Sequence, residues 1–266
     1  MNLPLGEAVA LGAIQGPTEL LPVSSSGHLI LVPALLGWHY GELDPELRKS
    51  FEVALHAGGA LALLIGLRSE VREYLGSFGP TNLATLTLSF APAALAAYLL
   101  ERPIEQRLGE PVPVAAALLA GSAAMALADG APEERGRDQA GPLDALAIGV
   151  AQAFALAPGV SRNGATLTAA RVLRFRRADA NVISRQIALP VILGAAALKG
   201  VRLARRGVPP AIARGMVAGA ATAFASTLLS LRLITMLERS RSLRPYAAYR
   251  AVVGAGALIV LARRAA

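Results

Sequence analysis

Long apolar blocks separated by short polar connectors run through the chain, and two of the blocks are broken by polar residues. Residues 3–16 are apolar and helix-like. A spanning helix needs about 20 apolar residues, so this block is too short to cross a bilayer. Pro17, Pro22 and the run Ser24-Ser25-Ser26 interrupt it, and a second short helix is predicted over 27–37, ending near Gly37. Two short helices around a polar break predict a re-entrant hairpin. The connector 38–50 is polar, with Trp38 and Tyr40 suited to a membrane interface. Three longer apolar segments follow, roughly 51–67, 81–100 and 112–128, joined by charged connectors at 68–80 and 101–110.

The most polar stretch, 129–142, marks the midpoint and reads as an exposed loop; the order of elements then repeats. A short apolar segment at 143–157 breaks at Pro158-Gly159, and a short helix runs to about Arg174. Long segments at about 182–204, 211–237 and 246–262 complete the chain, the first expected to bend at Pro190 and Gly194. Each half is one broken hairpin plus three crossings, and an odd number of crossings inserts the halves in opposite orientations. The predicted fold is an all-α polytopic membrane protein: six transmembrane helices and two re-entrant helical hairpins in an inverted-topology repeat. Residues 1–128 form the first repeat, 129–142 the connecting loop and 143–266 the second.

Composition strengthens the membrane reading. The 266 residues are 54% hydrophobic and only 17% charged, with mean hydropathy +0.50. A soluble Ala/Leu-rich bundle would need polar faces on most helices, and several segments here have none. The net charge of +8 comes almost wholly from arginine, since Lys49 and Lys199 are the only lysines. The arginines cluster near helix ends, where they meet anionic headgroups, and no basic stripe with interleaved aromatics suggests nucleic acid. Lys and Arg are shared evenly between alternate connectors, so charge does not set the orientation. Cysteine is absent, which excludes disulfides and thiolate metal sites. The N-terminus lacks a basic stretch and a small-residue cleavage site and reads as mature sequence.

The chemistry is concentrated in the two breaks. An ionisable side chain within a bilayer is costly and is a functional candidate by default. Glu19 is the clearest case, and Gln15 lies four residues before it, on the same helical face. Ser24 or Ser25 can cap the helix that begins near Gly27, and a capped half-helix offers free N–H groups to an anion. Another hydroxyl of the run can be a nucleophile, with Glu19 or His28 as its base. In the second break Arg162 supplies a guanidinium that can hold phosphate bidentately, beside the donors Ser161, Asn163 and Thr166. Glu52 and His56, four apart in the first full span, are expected to support the same cavity. Arg185, Arg214, Arg232 and Arg250 read as structural. One carboxylate plus substrate phosphates suits a loosely held Mg²⁺ or Ca²⁺, with Glu19 as its ligand.

These residues resemble the signatures of the undecaprenyl-diphosphatase family, also called the bacitracin-resistance family of integral membrane phosphatases. QGPTELLPVSSSGH (15–28) is similar to the first signature, APGVSRNGAT (157–166) to the second, and FEVALHAGG (51–59) to a third segment. The resemblance implies six spanning helices, two inverted re-entrant hairpins and removal of the terminal phosphate from undecaprenyl diphosphate. Within it, Glu19, Ser25, His28 and Arg162 would be catalytic. Gln15, Ser24, Ser26, Gly27, Ser161, Asn163 and Thr166 would bind the phosphates. Position 15 is Gln where the pattern also allows Glu, so Glu19 is the only carboxylate of its pair, and position 163 is Asn where Ser is usual. Expected partners are a polyprenyl diphosphate lipid and membrane lipids, with a homodimer as the candidate assembly and no nucleic acid. The expected location is the bacterial plasma membrane. The rival reading is a transporter or flippase for a phosphorylated polyprenyl lipid, since broken inverted hairpins are common in transporters.

Overall fold

The computed structural model describes residues 3–76, 79–207, 210–239 and 242–265, and among them all the regular structure is helical apart from one isolated bridge between Arg135 and Phe175. The first hairpin is α1 (Leu5–Leu20) and α2 (Ser25–Leu36). Then come α3 (Pro45–Gly66), the short α4 (Arg68–Gly76), α5 (Pro80–Leu108) and α6 (Pro111–Asp129). The second half opens with the hairpin α7 (Pro142–Phe154) and α8 (Arg162–Val172). It continues with α9 (Arg177–Arg206), α10 (Pro210–Ser230), the short α11 (Arg232–Glu238) and α12 (Arg244–Ala265).

Four of these helices are long and apolar enough to cross a membrane: α5, α6, α10 and α12. Their outward faces are oily. Leu127 of α6, Leu229 of α10 and Val252 of α12 are 81%, 82% and 72% exposed, a surface that water would not tolerate and lipid does. Helices α3 and α9 have the length to span as well, with 22 and 30 residues. They carry more ionisable residues, among them His56 of α3, which borders the cleft described below.

The helix pairings exchange between halves. If α1, α2, α3, α5 and α6 are swapped with α7, α8, α9, α10 and α12, the α1–α10 pair becomes α7–α5. The α3–α10 pair becomes α9–α5, and α2–α12 becomes α8–α6, while α3–α9 and α6–α12 map onto themselves; all of these pairs are in contact. The hairpins correspond residue for residue, with one offset of 137 positions: Gly12 with Gly149, Gln15 with Gln152, Ser24 with Ser161, Gly27 with Gly164. The packing corresponds too. A side chain at Gly12 would collide with the Gly219 carbonyl of α10, and one at Gly149 with the Leu88 and Ser89 carbonyls of α5. Glycine at these two positions lets each hairpin lie directly on the backbone of a helix from the opposite repeat.

Several boundaries differ from the sequence expectation. Pro17 does not end α1; the helix continues to Leu20. Proline lacks the N–H that would bond the Ala13 carbonyl. The Ser226 hydroxyl of α10 donates to that carbonyl instead (2.6 Å), so the helix continues through the proline. Helix α3 starts at Pro45, inside the polar connector, because Asp44 caps it by accepting from the Glu46 N–H. Helix α5 runs on through Pro103, α9 starts at Arg177, before the apolar segment, and the 211–237 segment is divided into α10 and α11.

The stretch after Asp129 is largely exposed, as expected of a loop, and it is tied down by buried contacts. Asp129, 3% exposed, accepts from Arg177 Nε (2.9 Å), Ser242 Oγ (2.6 Å) and the Leu243 N–H (3.0 Å). Arg135 clasps the Asp144 carboxylate at 2.7 and 2.8 Å and lies 4.4 Å over the Phe175 ring. On the connector after α2, a hydrogen bond to Glu7 raises the pKa of the exposed His39 imidazole.

The Ser226 bond gives the first test. Ser226→Ala should lower stability by about 1–2 kcal/mol, the usual cost of a carbonyl left without a donor where hydrocarbon supplies none. In a Pro17→Ala background the same change should cost much less, because residue 17 then has its own N–H. Thermal unfolding of the four proteins in detergent closes this cycle, and additive effects would show that Ser226 does not serve that carbonyl.

Candidate active site

The two breaks end α1 and α7 and begin α2 and α8, and they do so in the same way. Ser24 (φ 76°) and Ser161 (φ 69°) both take positive φ, a region that non-glycine residues seldom adopt. The Ser24 hydroxyl accepts from the Gly27 N–H (3.2 Å) and the Ser161 hydroxyl from the Gly164 N–H (3.1 Å). Ser24 is therefore the cap that the sequence left open between itself and Ser25. Capping frees the hydroxyl of the next residue, and the first residues of the two helices, Ser25 and Arg162, are brought face to face.

Both reach Glu19. Ser25 Oγ donates to Glu19 Oε2 (2.7 Å) and Arg162 Nη2 to Glu19 Oε1 (2.9 Å), so each repeat contributes one donor to one carboxylate. The Glu19 and Arg162 side chains are 11% and 19% exposed, buried enough for the pair to need each other and open enough to admit a ligand. Gln15 Nε2 donates to His56 Nδ1 (3.1 Å) and lies 3.4 Å from Glu19 Oε2; His56 Nδ1 is itself 3.9 Å from that oxygen. These groups border an open cleft of about 540 Å³, walled by Glu19, Ser24, Ser25, Ser26, His56, Ser161, Arg162 and Asn163 among others. Ser26 Oγ lies 3.4 Å from Ser24 Oγ at its edge.

Other expected residues sit elsewhere. His28 is 6% exposed and turned away from the cleft. Its Nδ1 lies 2.7 Å from the Ser24 carbonyl, which can only accept, so Nδ1 carries the proton and Nε2 accepts from the Tyr249 hydroxyl (2.7 Å). The two rings stack 5.6 Å apart. With both nitrogens engaged, the imidazole holds the strained Ser24 peptide in place. Gly27 packs with Ser24 Oγ and Gly159 Cα, where the two breaks touch. Thr166 is fully buried; its hydroxyl lies 2.6 Å from Ser184 Oγ, which donates to Asn163 Oδ1 (3.0 Å). Asn163 Nδ2 in turn donates to the Leu20 carbonyl (2.8 Å) at the end of α1. The amide at 163 thus joins the two hairpins through its donor and ties them to α9 through its acceptor. Glu52 accepts from the buried Tyr40 hydroxyl (3.0 Å) and does not line the cleft, whereas His56 does. Gln152, the counterpart of Gln15, donates to the Ser89 carbonyl (3.3 Å) instead. Among the described residues no group of three or more His, Asp or Glu side chains could hold a metal ion.

A hydroxyl bonded to a carboxylate, a guanidinium and two half-helix N-termini converge within an all-α polytopic membrane protein, and that chemistry suits a phosphate ester or anhydride carried by a lipid. The chain belongs to the family described as bacitracin resistance protein BacA, whose model matches residues 8–256. It is 41% identical over 271 residues to an undecaprenyl-diphosphatase of Geobacter sulfurreducens, covering 97% of this chain and 98% of the relative. It is 36% identical to one from Trichlorobacter lovleyi, covering 97% and 98%, and 35% identical to undecaprenyl-diphosphatase 1 of Burkholderia thailandensis, covering 96% and 94%.

The orientation of His28 generates a test. Tyr249→Phe removes the Nε2 partner without touching the cleft, and turnover should fall about fivefold, as for one neutral hydrogen bond. Ser25→Ala should cost at least about a hundredfold. Equal losses in the two variants would place His28 among the reacting groups.

Proposed function

We propose that this protein hydrolyses undecaprenyl diphosphate to undecaprenyl phosphate and inorganic phosphate in the bacterial plasma membrane, renewing the lipid carrier of cell-wall precursors. The observation that carries the reading is the Ser25–Glu19–Arg162 group. It contains a hydroxyl, a carboxylate in direct contact with it, and a cation that can leave that carboxylate for a phosphate. The substrate is that of the undecaprenyl-diphosphatases the chain is similar to.

On this reading the terminal phosphate enters between the hairpins and takes Arg162 from Glu19. The guanidinium and the N–H groups opening α2 and α8 neutralise its oxygens, the electrostatic contribution that phosphoryl transfer needs most. Glu19 accepts the Ser25 proton as Ser25 Oγ attacks the terminal phosphorus. The anhydride P–O bond breaks and undecaprenyl phosphate departs with the bridging oxygen. Water then attacks the phosphoserine, with Glu19 exchanging the proton, and phosphate and free Ser25 are restored. His56 and Gln15 hold Glu19 in position. All of these groups lie in one chain, so the cleft is complete without a second copy. A single carboxylate shared with an arginine is not a metal cage. A Mg²⁺ or Ca²⁺ ion would be held mainly by the substrate's own phosphates with Glu19 beside it, and no step here runs through it.

Purified wild type in detergent should release phosphate from a polyprenyl diphosphate. Arg162→Lys keeps the charge but loses the bidentate fork and should lose about a hundredfold in kcat. Glu19→Gln should be at least as severe. Rapid acid quench should trap phosphate on Ser25. A wild type that releases no phosphate with any divalent ion present contradicts the proposed activity; turnover without a phosphoenzyme leaves direct attack by water as the route.

A further inference from the structure

Arg250 is one of the two largest fully buried side chains, yet it lies on α12, far in sequence from either signature. Its guanidinium donates to the Pro22 carbonyl (3.3 Å) of the first break and to the Gly159 (3.2 Å) and Val160 (2.8 Å) carbonyls of the second. Among the described residues no carboxylate pairs with it, and its Nε has no partner. Two glycines make room for it: a Cβ on Gly121 of α6 would overlap Nη2, and one on Gly164 would press on Nη1. A fully buried cation without a counter-charge is expensive, and packing glycines around it adds no apolar contact. Its compensation is the set of main-chain carbonyls that the breaks leave without helical donors.

We propose that Arg250 is a positioning residue for the reaction: one guanidinium that locks the two breaks in register. The planar fork matters here, because its nitrogens reach carbonyls on two separate loops at once and the single ammonium of lysine cannot do so in the same geometry. Three residues beyond Pro22 stands Ser25 and two beyond Val160 stands Arg162, and these two must meet at Glu19 to within hydrogen-bond distance. A relative slip of about 1 Å between reacting groups can cost on the order of a hundredfold in rate. Tyr249, the neighbouring residue on α12, fixes the Ser24 peptide through His28, so two adjacent side chains of one helix set the break geometry.

The kinetic half of the test rests on the proposed phosphatase activity; the exchange half does not. Arg250→Lys should purify folded, with kcat reduced about a hundredfold and KM changed less than about threefold. Gly121→Ala leaves Arg250 and the cleft intact but displaces the guanidinium, and it should shift kcat in the same direction if Arg250→Lys fails to fold. Hydrogen–deuterium exchange, which needs no turnover, should rise at residues 22–27 and 159–164 together in either variant. A folded variant with wild-type kcat, or exchange that rises only within α12, overturns the proposal. An inactive wild type whose variants still loosen both breaks together overturns the phosphatase reading and leaves the positioning role supported.

Discussion

The structure depends on one constraint: a helix broken inside a bilayer must find donors for its freed carbonyls within the protein, because hydrocarbon supplies none. Five such groups in the two hairpins have a side-chain donor. Ser226 serves the carbonyl left by Pro17, Asn163 that of Leu20, and Arg250 those of Pro22, Gly159 and Val160. Most of these donors come from the opposite repeat or from a helix of the opposite half. Satisfying the breaks is therefore the same act as joining the halves, and the cleft forms where they join.

Equivalent backbones carry inequivalent side chains, and that asymmetry makes a site out of a repeat. Ser25 and Arg162 occupy the same position on α2 and α8, while Glu19 corresponds to Leu156 and His28 to Ala165. Had both halves kept the acid, two carboxylates would face each other and repel. Had both carried the arginine, the Ser25 hydroxyl would be lost. On the proposed reading the first hairpin supplies proton acceptor and hydroxyl, and the second supplies charge for the phosphate.

Much of this was legible in the sequence. Apolar block lengths predicted two short broken segments and six long ones, and the membrane fold followed because no soluble bundle could expose Leu127 or Leu229. Glu19, Ser24 and Arg162 stood out as polar groups in an oily context, and the structure brings Glu19, Ser25 and Arg162 together. What escaped was everything set by tertiary approach. Pro17 reads as a helix end unless a partner for the Ala13 carbonyl is known. His28 reads as a base unless Tyr249, 221 residues away, is known to occupy its second nitrogen. Glu52 and His56 share a helical face on paper, but the buried Tyr40 draws one of them aside. Arg250 looks like a snorkelling cation; only the space left by Gly121 and Gly164 betrays a buried guanidinium, and neither glycine is near it in sequence.

The central claim is that both half-helix starts grip one phosphate, with Arg162 released from Glu19 as it binds. An experimental structure with orthovanadate, a mimic of the phosphate in transfer, tests this most directly. The account predicts vanadate between Ser25 and Arg162, within hydrogen-bond distance of N–H groups from both α2 and α8, and the Arg162–Glu19 contact broken. Vanadate bound to one hairpin alone, or to neither with the ion pair intact, would contradict it.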